Sequence, residues 1–129
     1  MSGLEAGEEL TVLAVTPDRI AGARYAGASG DFNPIHLDDD FARSVGLPGR
    51  ILHGLYTMAL LARAVTEAAG GPEHLRRLAV QFRGAAIPEQ EITVSGAVTA
   101  REGRHATLTV SAHQLGKAII RGASAELEL

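Results

Sequence analysis

The 129-residue chain has no cysteine and no tryptophan, and only three phenylalanines and two tyrosines. Without cysteine there is no disulfide framework, no thiolate nucleophile and no thiolate metal site. Nor is there an excess of positive charge. Twelve lysines and arginines stand against fifteen acidic residues, a net charge of −3, which excludes broad binding to nucleic-acid phosphates. The longest apolar stretch, within 55–69, is interrupted by Arg63 and Glu67 and falls short of the roughly 20 residues a membrane-spanning helix needs. The start, Met1-Ser2-Gly3-Leu4-Glu5, lacks the basic residues and apolar run of a secretory signal, so a cytoplasmic location is expected. No internal repeat, low-complexity tract or long linker is present. What remains is a chain that is 46% hydrophobic, mostly aliphatic and alanine. It is expected to form one domain over 1–129, large enough to bury about two thirds of its unfolded surface.

Hydrophobic periodicity divides that domain unevenly. Leu10 to Val15 reads as a first strand, rich in β-branched residues. Thr16-Pro17-Asp18 has the chemistry of a helix start, with Thr16 as cap and Pro17 at the first helical position. The helix it opens would turn Ile20, Ala23 and Ala28 toward the core. Asp38 is placed to cap a second short helix carrying Phe41, Ala42 and Val45, which Gly46 ends. After the loop Leu47-Pro48-Gly49-Arg50, a long helix is expected from Gly54 to Ala69, apolar nearly all round and so buried on most sides, with Gly70-Gly71-Pro72 stopping it. The rest reads as antiparallel strands: Leu75–Phe82; a second carrying Ile92, Val94 and Val98; Ala106–Leu115; and Ala118–Leu129, with turns at 101–104 and 115–117. One buried helix followed by a run of antiparallel strands is α+β in class.

The densest chemistry lies in Ser29-Gly30-Asp31-Phe32-Asn33-Pro34-Ile35-His36. A carboxylate and an imidazole stand five positions apart across an Asn-Pro turn that bends rather than coils. Two groups able to take and give a proton near neutral pH are the minimum equipment for moving water on or off a substrate. Each residue also has an ordinary use. Asp31 after Gly30 is placed to bond backbone N–H groups in a turn, and His36 after Ile35 to sit partly buried. The pairing, with Asn33 between to pin the loop, makes Asp31 and His36 the catalytic candidates. Asn33 and Ser29 are expected to orient them. His53-Gly54 opens the long helix, whose N-terminal N–H groups suit a polarised oxygen. Gly54 is equally suited to letting the chain enter the helix tightly, and His53 to supporting the loop. Asp31, His36, Asp38, Asp39 and Asp40 together show no two-His or EF-hand spacing, and the acidic triplet reads as capping the short helix, so no metal is expected.

The run from Tyr25 to His36, then Phe41-Ala42 and His53-Gly54, resembles the MaoC-type family of R-specific enoyl-thioester hydratases and dehydratases, its single-domain members in particular. The resemblance covers most of the chain. It implies a hot-dog fold, a curved antiparallel sheet around the long helix, and dimers, homomeric or heteromeric, joined through sheet edges. It implies that the Gly54 N–H holds a thioester carbonyl while Asp31 and His36 share one water in a small dry pocket. The implied reaction is reversible hydration of a trans-2-enoyl thioester of coenzyme A or an acyl carrier protein to the (R)-3-hydroxyacyl thioester, with no metal or redox cofactor. Some relatives in polyester pathways carry a serine about two turns into the long helix. Here the aligned position is Ala62, leaving Tyr56 and Thr57 as the nearby hydroxyls. Two other functions stay open: thioester hydrolysis, which would release free thiol, and a non-catalytic acyl-binding or partner-stabilising subunit, which would have no need of Asp31, Asn33 and His36 together. Late in the chain Arg76, Arg77, Arg83, Arg101, Arg104, Lys117 and Arg121 offer either a solvated sheet surface or, for two or three of them, contacts to the phosphates of coenzyme A or a carrier arm.

Overall fold

A computed structural model of the protein describes residues 3–129; Met1 and Ser2, part of the start examined for a signal, lie outside them. Five strands form one sheet: β1 (Leu13–Val15), β2 (Leu75–Ala79), β3 (Ile92–Glu102), β4 (His105–Gln114) and β5 (Lys117–Glu128). Three α-helices accompany them: α1 (Ala21–Ser29), α2 (Asp39–Ser44) and α3 (Gly54–Ala69). Single 3-10 turns sit at Pro34–His36 and Pro72–His74. The strand order is β1-β3-β4-β5-β2 and every neighbouring pair is antiparallel. Leu61 and Val65 of α3 are completely buried, in one core cluster with Ile92, Val94, Val98, Leu108, Val110, Ile120 and Leu127 from the sheet. A long helix held on one face of a five-stranded antiparallel sheet is the α+β hot-dog arrangement.

The three long strands follow the alternation in the sequence. In β5, Ala123, Ala125 and Leu127 are buried while the residues between them are not. Turn chemistry sets the register. Leu115 (φ 52°) and Gly116 (φ 72°) are both left-handed, and they join Gln114 to its partner Lys117 in a two-residue hairpin. Gly122, at φ 62°, donates its N–H to Ser111 Oγ at 3.0 Å, where the β4–β5 register shifts.

Strand and helix ends depart from the expectations. β1 is three residues long; Leu10 lies outside it, although its N–H reaches Gly96 O at 2.9 Å. β2 ends at Ala79, and the chain returns to the sheet only at Phe82, opposite Ile120. Helix α1 does not start at Thr16-Pro17. The Pro17 carbonyl accepts from Glu89 N at 2.7 Å, a long-range bond that holds this segment away from the helix. Asp18 forms the turn instead, accepting from Ile20 N through its carboxylate and from Ala21 N through its carbonyl. The later start rotates the helix, so Ala21, Gly22 and Ala26 face inward while Ile20, Ala23 and Ala28 are exposed. Asp38 does cap α2, accepting from Asp40 N at 2.9 Å and Phe41 N at 3.3 Å, but only Ala42 of that helix is buried. Phe41 and Val45 remain exposed.

Helix α3 spans the residues expected and ends on Gly70, left-handed at φ 89°. It is not buried on most sides. Thr57, Leu60, Leu61, Ala64 and Val65 face the core, whereas Gly54, Leu55, Ala59 and Arg63 are exposed. One sheet covers one side of a helix; an apolar surface elsewhere on it needs another partner.

Candidate active site

The loop carrying Asp31 is built by a relay of short polar side chains. Helix α1 ends on Gly30, left-handed at φ 80°, whose N–H donates to Ala26 O at 2.8 Å. Ser29 Oγ donates to Tyr25 O at 2.7 Å and accepts from Asp31 N at 3.2 Å. Asp31 Oδ1 accepts from Asn33 N at 3.2 Å, and Asn33 Oδ1 from Ile35 N at 3.2 Å. Each side chain thus satisfies the backbone two residues ahead, the Asx-turn pattern that short polar residues favour. One oxygen of Asp31 performs the ordinary turn role, which leaves Oδ2 for other chemistry.

Pro34 then starts a 3-10 turn that swings His36 inward until it is 8% exposed. Its Nδ1 lies 2.9 Å from Ile51 O. A carbonyl only accepts, so the ring proton sits on Nδ1. The lone pair on Nε2 therefore faces Asp31 Oδ2, 3.7 Å away. At that separation two acceptors cannot bond each other directly, but a water to one side of the line between them can give a hydrogen to each. Ile51 N also donates to Ile35 O at 3.0 Å, so the strap before α3 is fastened twice to the segment that carries Asp31 and His36. Gly22 permits a further close approach: a Cβ there would lie 2.8 Å from His36 O.

His53, 2% exposed, sets its Nε2 3.0 Å from Asp31 O. By the same reasoning its proton is on Nε2, and its Nδ1 is buried with no hydrogen-bond partner among the described residues. Its ring stacks on that of His36, centroids 3.8 Å apart and planes 22° apart, and also packs against Tyr25, centroids 4.8 Å apart and planes tilted by 50°. Asp31 Oδ2 and the two imidazoles bring three ligand atoms within 4.8 Å of one another. Ring lone pairs lie in the ring planes, and those of stacked imidazoles run side by side. Zinc ligands must instead converge to about 2.0–2.1 Å from one ion. The grouping suits proton transfer better than chelation.

Gly54, next to His53, is the first residue of α3, so its N–H has no intrahelical acceptor. The Phe82 ring lies close: a Cβ on Gly54 would sit 3.2 Å from Phe82 Cε1. Tyr56 and Thr57 make no hydrogen bond to Asp31 or His36 among the described residues. Tyr56 packs edge-on against Tyr25 at 5.9 Å; burial raises its phenol above the usual range, with Arg24 and Asp18 its charged neighbours. Thr57 is 1% exposed, on the core side of α3. Outside the loop, Arg50 braces the strap. It donates to Asp39 Oδ2 at 2.8 Å and to Arg19 O at 2.8 Å, and bonds from the Arg50 backbone N–H and guanidinium hold the Asp39 carboxyl below its ordinary range.

Sequence reasoning missed four contributors. Ile51 acts only through its backbone and leaves no side-chain signature. Gly22, Tyr25 and Phe82 carry the right chemistry, but nothing in their spacing ties them to His36, His53 or Gly54. The dry pocket also needs correction: the Asp31 side chain is 53% exposed and Gly54 is exposed, so one side of the site opens to solvent on a single chain.

A hot-dog sheet with an Asp–His pair at the mouth of its long helix defines a MaoC-type domain. Residues 5–117 match the family described as MaoC like domain, and the chain belongs to that family. It is 35% identical over 125 residues to a fatty acid synthase beta subunit of Dothistroma septosporum, covering 94% of this chain and 6% of that protein. It is 34% identical over 99 residues to the peroxisomal hydratase-dehydrogenase-epimerase of Neurospora crassa, covering 77% of this chain and 10% of that protein. The chain thus corresponds to a tenth or less of these two relatives. Among solved structures it is similar to a MaoC-like dehydratase (32% identity, TM-score 0.94, 98% of this chain and 41% of that one). It is also similar to the (R)-hydratase from A. caviae involved in PHA biosynthesis (27%, TM-score 0.88, 100% and 99%), and to the ChsH1–ChsH2 complex from Mycobacterium tuberculosis (26%, TM-score 0.87, 96% and 97%). Among the described residues no helix is long and apolar enough to cross a membrane.

Proposed function

We propose that this chain catalyses the reversible hydration of trans-2-enoyl thioesters to (R)-3-hydroxyacyl thioesters. The observation that carries this reading is the pair of lone-pair-bearing groups, His36 Nε2 and Asp31 Oδ2, held 3.7 Å apart with the His36 proton locked on the far nitrogen by Ile51 O. The names of the (R)-hydratase and the hydratase-dehydrogenase-epimerase support it. Water bound between the two groups adds its oxygen to C3 of the substrate. The proton it loses passes to the Asp31–His36 pair, and C2 receives a proton from the same pair, so one water is consumed and no other reactant is needed. Negative charge developing on the thioester oxygen is met by the Gly54 N–H at the positive end of α3. Dehydration runs the same steps backward. Ser29, Asn33 and His53 hold Asp31 in place. Thiol chemistry plays no part, and the acyl carrier, coenzyme A or a carrier-protein arm, is substrate.

The open side of the site asks for a lid, and a second copy of this chain is the proposed one. Phe32 (61% exposed), Phe41, Leu55 (59%) and Phe82 leave large apolar side chains in solvent near it, beyond the scattered exposure of an ordinary surface.

Asp31→Asn and His36→Ala test the reaction. Each is expected to reduce hydration of crotonyl-coenzyme A, followed by loss of the enoyl absorbance, by about 10²–10⁴-fold with the circular dichroism spectrum unchanged. Wild-type rates in either folded variant would defeat the assignment, and release of free coenzyme A would replace hydration by hydrolysis.

A further inference from the structure

Most arginines of this chain have a partner. Arg24, Arg43, Arg50, Arg63 and Arg77 pair with carboxylates. Arg76 and Arg104 donate to backbone carbonyls. Arg19, Arg83, Arg121 and Lys117 form no ion pair among the described residues, and the Arg83 guanidinium donates to the neutral Gln81 Oε1, at 2.7 Å. Of these, Arg83 and Lys117 line one groove, about 420 Å³, and among the described residues no carboxylate lines it with them. Two uncompensated cations facing one concavity are a site for anionic oxygen.

The groove is braced and adjoins the candidate active site. Gln114, 4% exposed, accepts from Ile87 N at 2.8 Å and donates to Ile87 O and Gln90 O at 2.8 and 2.9 Å, fixing the wall. Arg83 N and Gly84 N both donate to Ile119 O. Ala86 O accepts from Leu52 N at 2.7 Å, tying this segment to the residues that lead into Gly54. Phe82, whose ring lies against Gly54, immediately precedes Arg83 and lies opposite Ile120, and Lys117 stands three residues from Ile120, about 10 Å along an extended strand. The two cations are thus carried by the segments that flank the ring beside the Gly54 N–H. Leu115, 65% exposed in a left-handed conformation that leucine disfavours, adds an apolar wall beside the cations.

We infer that this groove, through Arg83 and Lys117, binds the phosphate-bearing end of the substrate's pantetheine arm. The inference rests on the thioester reading above, and it selects two of the seven late cations for that task. Coenzyme A and a carrier-protein arm share a phosphate next to pantetheine, while coenzyme A carries further phosphates beyond it.

Calorimetric titration of the full chain with coenzyme A, 4′-phosphopantetheine and unphosphorylated pantetheine, compared with the double variant R83Q/K117Q, tests it without requiring turnover. Wild type is expected to bind coenzyme A more tightly than pantetheine. The variant is expected to lose about 10–100-fold in coenzyme A affinity and nothing for pantetheine. An equal loss for 4′-phosphopantetheine assigns the groove to the phosphate common to both carriers; a loss confined to coenzyme A assigns it to the phosphates found only there. Unchanged coenzyme A affinity in the folded variant, or equal wild-type affinity for coenzyme A and pantetheine, overturns the inference. Phosphate-dependent binding without hydration of crotonyl-coenzyme A would instead refute the reaction and keep the groove.

Discussion

Asp31 shows how one short side chain serves two ends. Its Oδ1 closes the turn onto Asn33 N, and its Oδ2 faces His36, so the residue is braced by the loop it helps to form. Gly54 has a comparable economy. As the first helical residue it has an N–H that the helix does not use, and proline is tolerated at that position for the same reason. His53 before it already has the extended conformation, φ −61° and ψ 140°, that a following proline demands. Gly54→Pro therefore removes the donor while leaving the helix start intact, once the ring that would meet its Cβ is trimmed. In a Phe82→Ala background, Gly54→Pro is expected to lower kcat for crotonyl-coenzyme A about 10²–10³-fold relative to Phe82→Ala alone, with the thermal midpoint little changed. Equal kcat in the two variants would show that this N–H does not hold the reacting oxygen.

At the level of elements, the β4–β5 hairpin combines good and poor local chemistry. Gly116 fits its left-handed conformation and Leu115 does not; a non-glycine residue there loses about 1–2 kcal/mol. Asn-Gly is the preferred pair for such a turn. Leu115→Asn is expected to stabilise the fold by about 0.5–1 kcal/mol, read as a higher urea midpoint with an unchanged slope. No gain would mean that Leu115 recovers its strain through packing. α1 teaches a related lesson. Its apparent start at Thr16-Pro17 has sound capping chemistry, but the bond from Glu89 N to Pro17 O takes that segment elsewhere, and a tertiary contact outweighs a local propensity.

For the whole molecule, the candidate site is open to solvent on one side. β1 and β2 are the edges of the sheet, and unpaired edges need cover. Leu55 is exposed on the open side of α3, and the proposed second copy would bury it. Sedimentation should find wild type dimeric, and Leu55→Asp should shift it toward monomer and cut kcat/KM about tenfold or more while keeping the far-ultraviolet spectrum, because a charge buried at an interface without a partner is costly. A wild-type monomer with full hydratase activity would overturn this assembly.

Alternation of apolar and polar residues, one long apolar helix between glycines, and the run from Ser29 to His36 were enough by themselves to specify the antiparallel run of strands β3 to β5, the extent of α3 and the nearness of Asp31 to His36, because each rests on spacing within a single segment. Where α1 begins, which face of α3 stays open, that Ile51 O sets the His36 tautomer, and that Phe82 reaches Gly54 were decided only in the folded chain. Those outcomes depend on contacts between residues far apart in sequence, several made through backbone atoms that every residue type shares, and no local pattern encodes them.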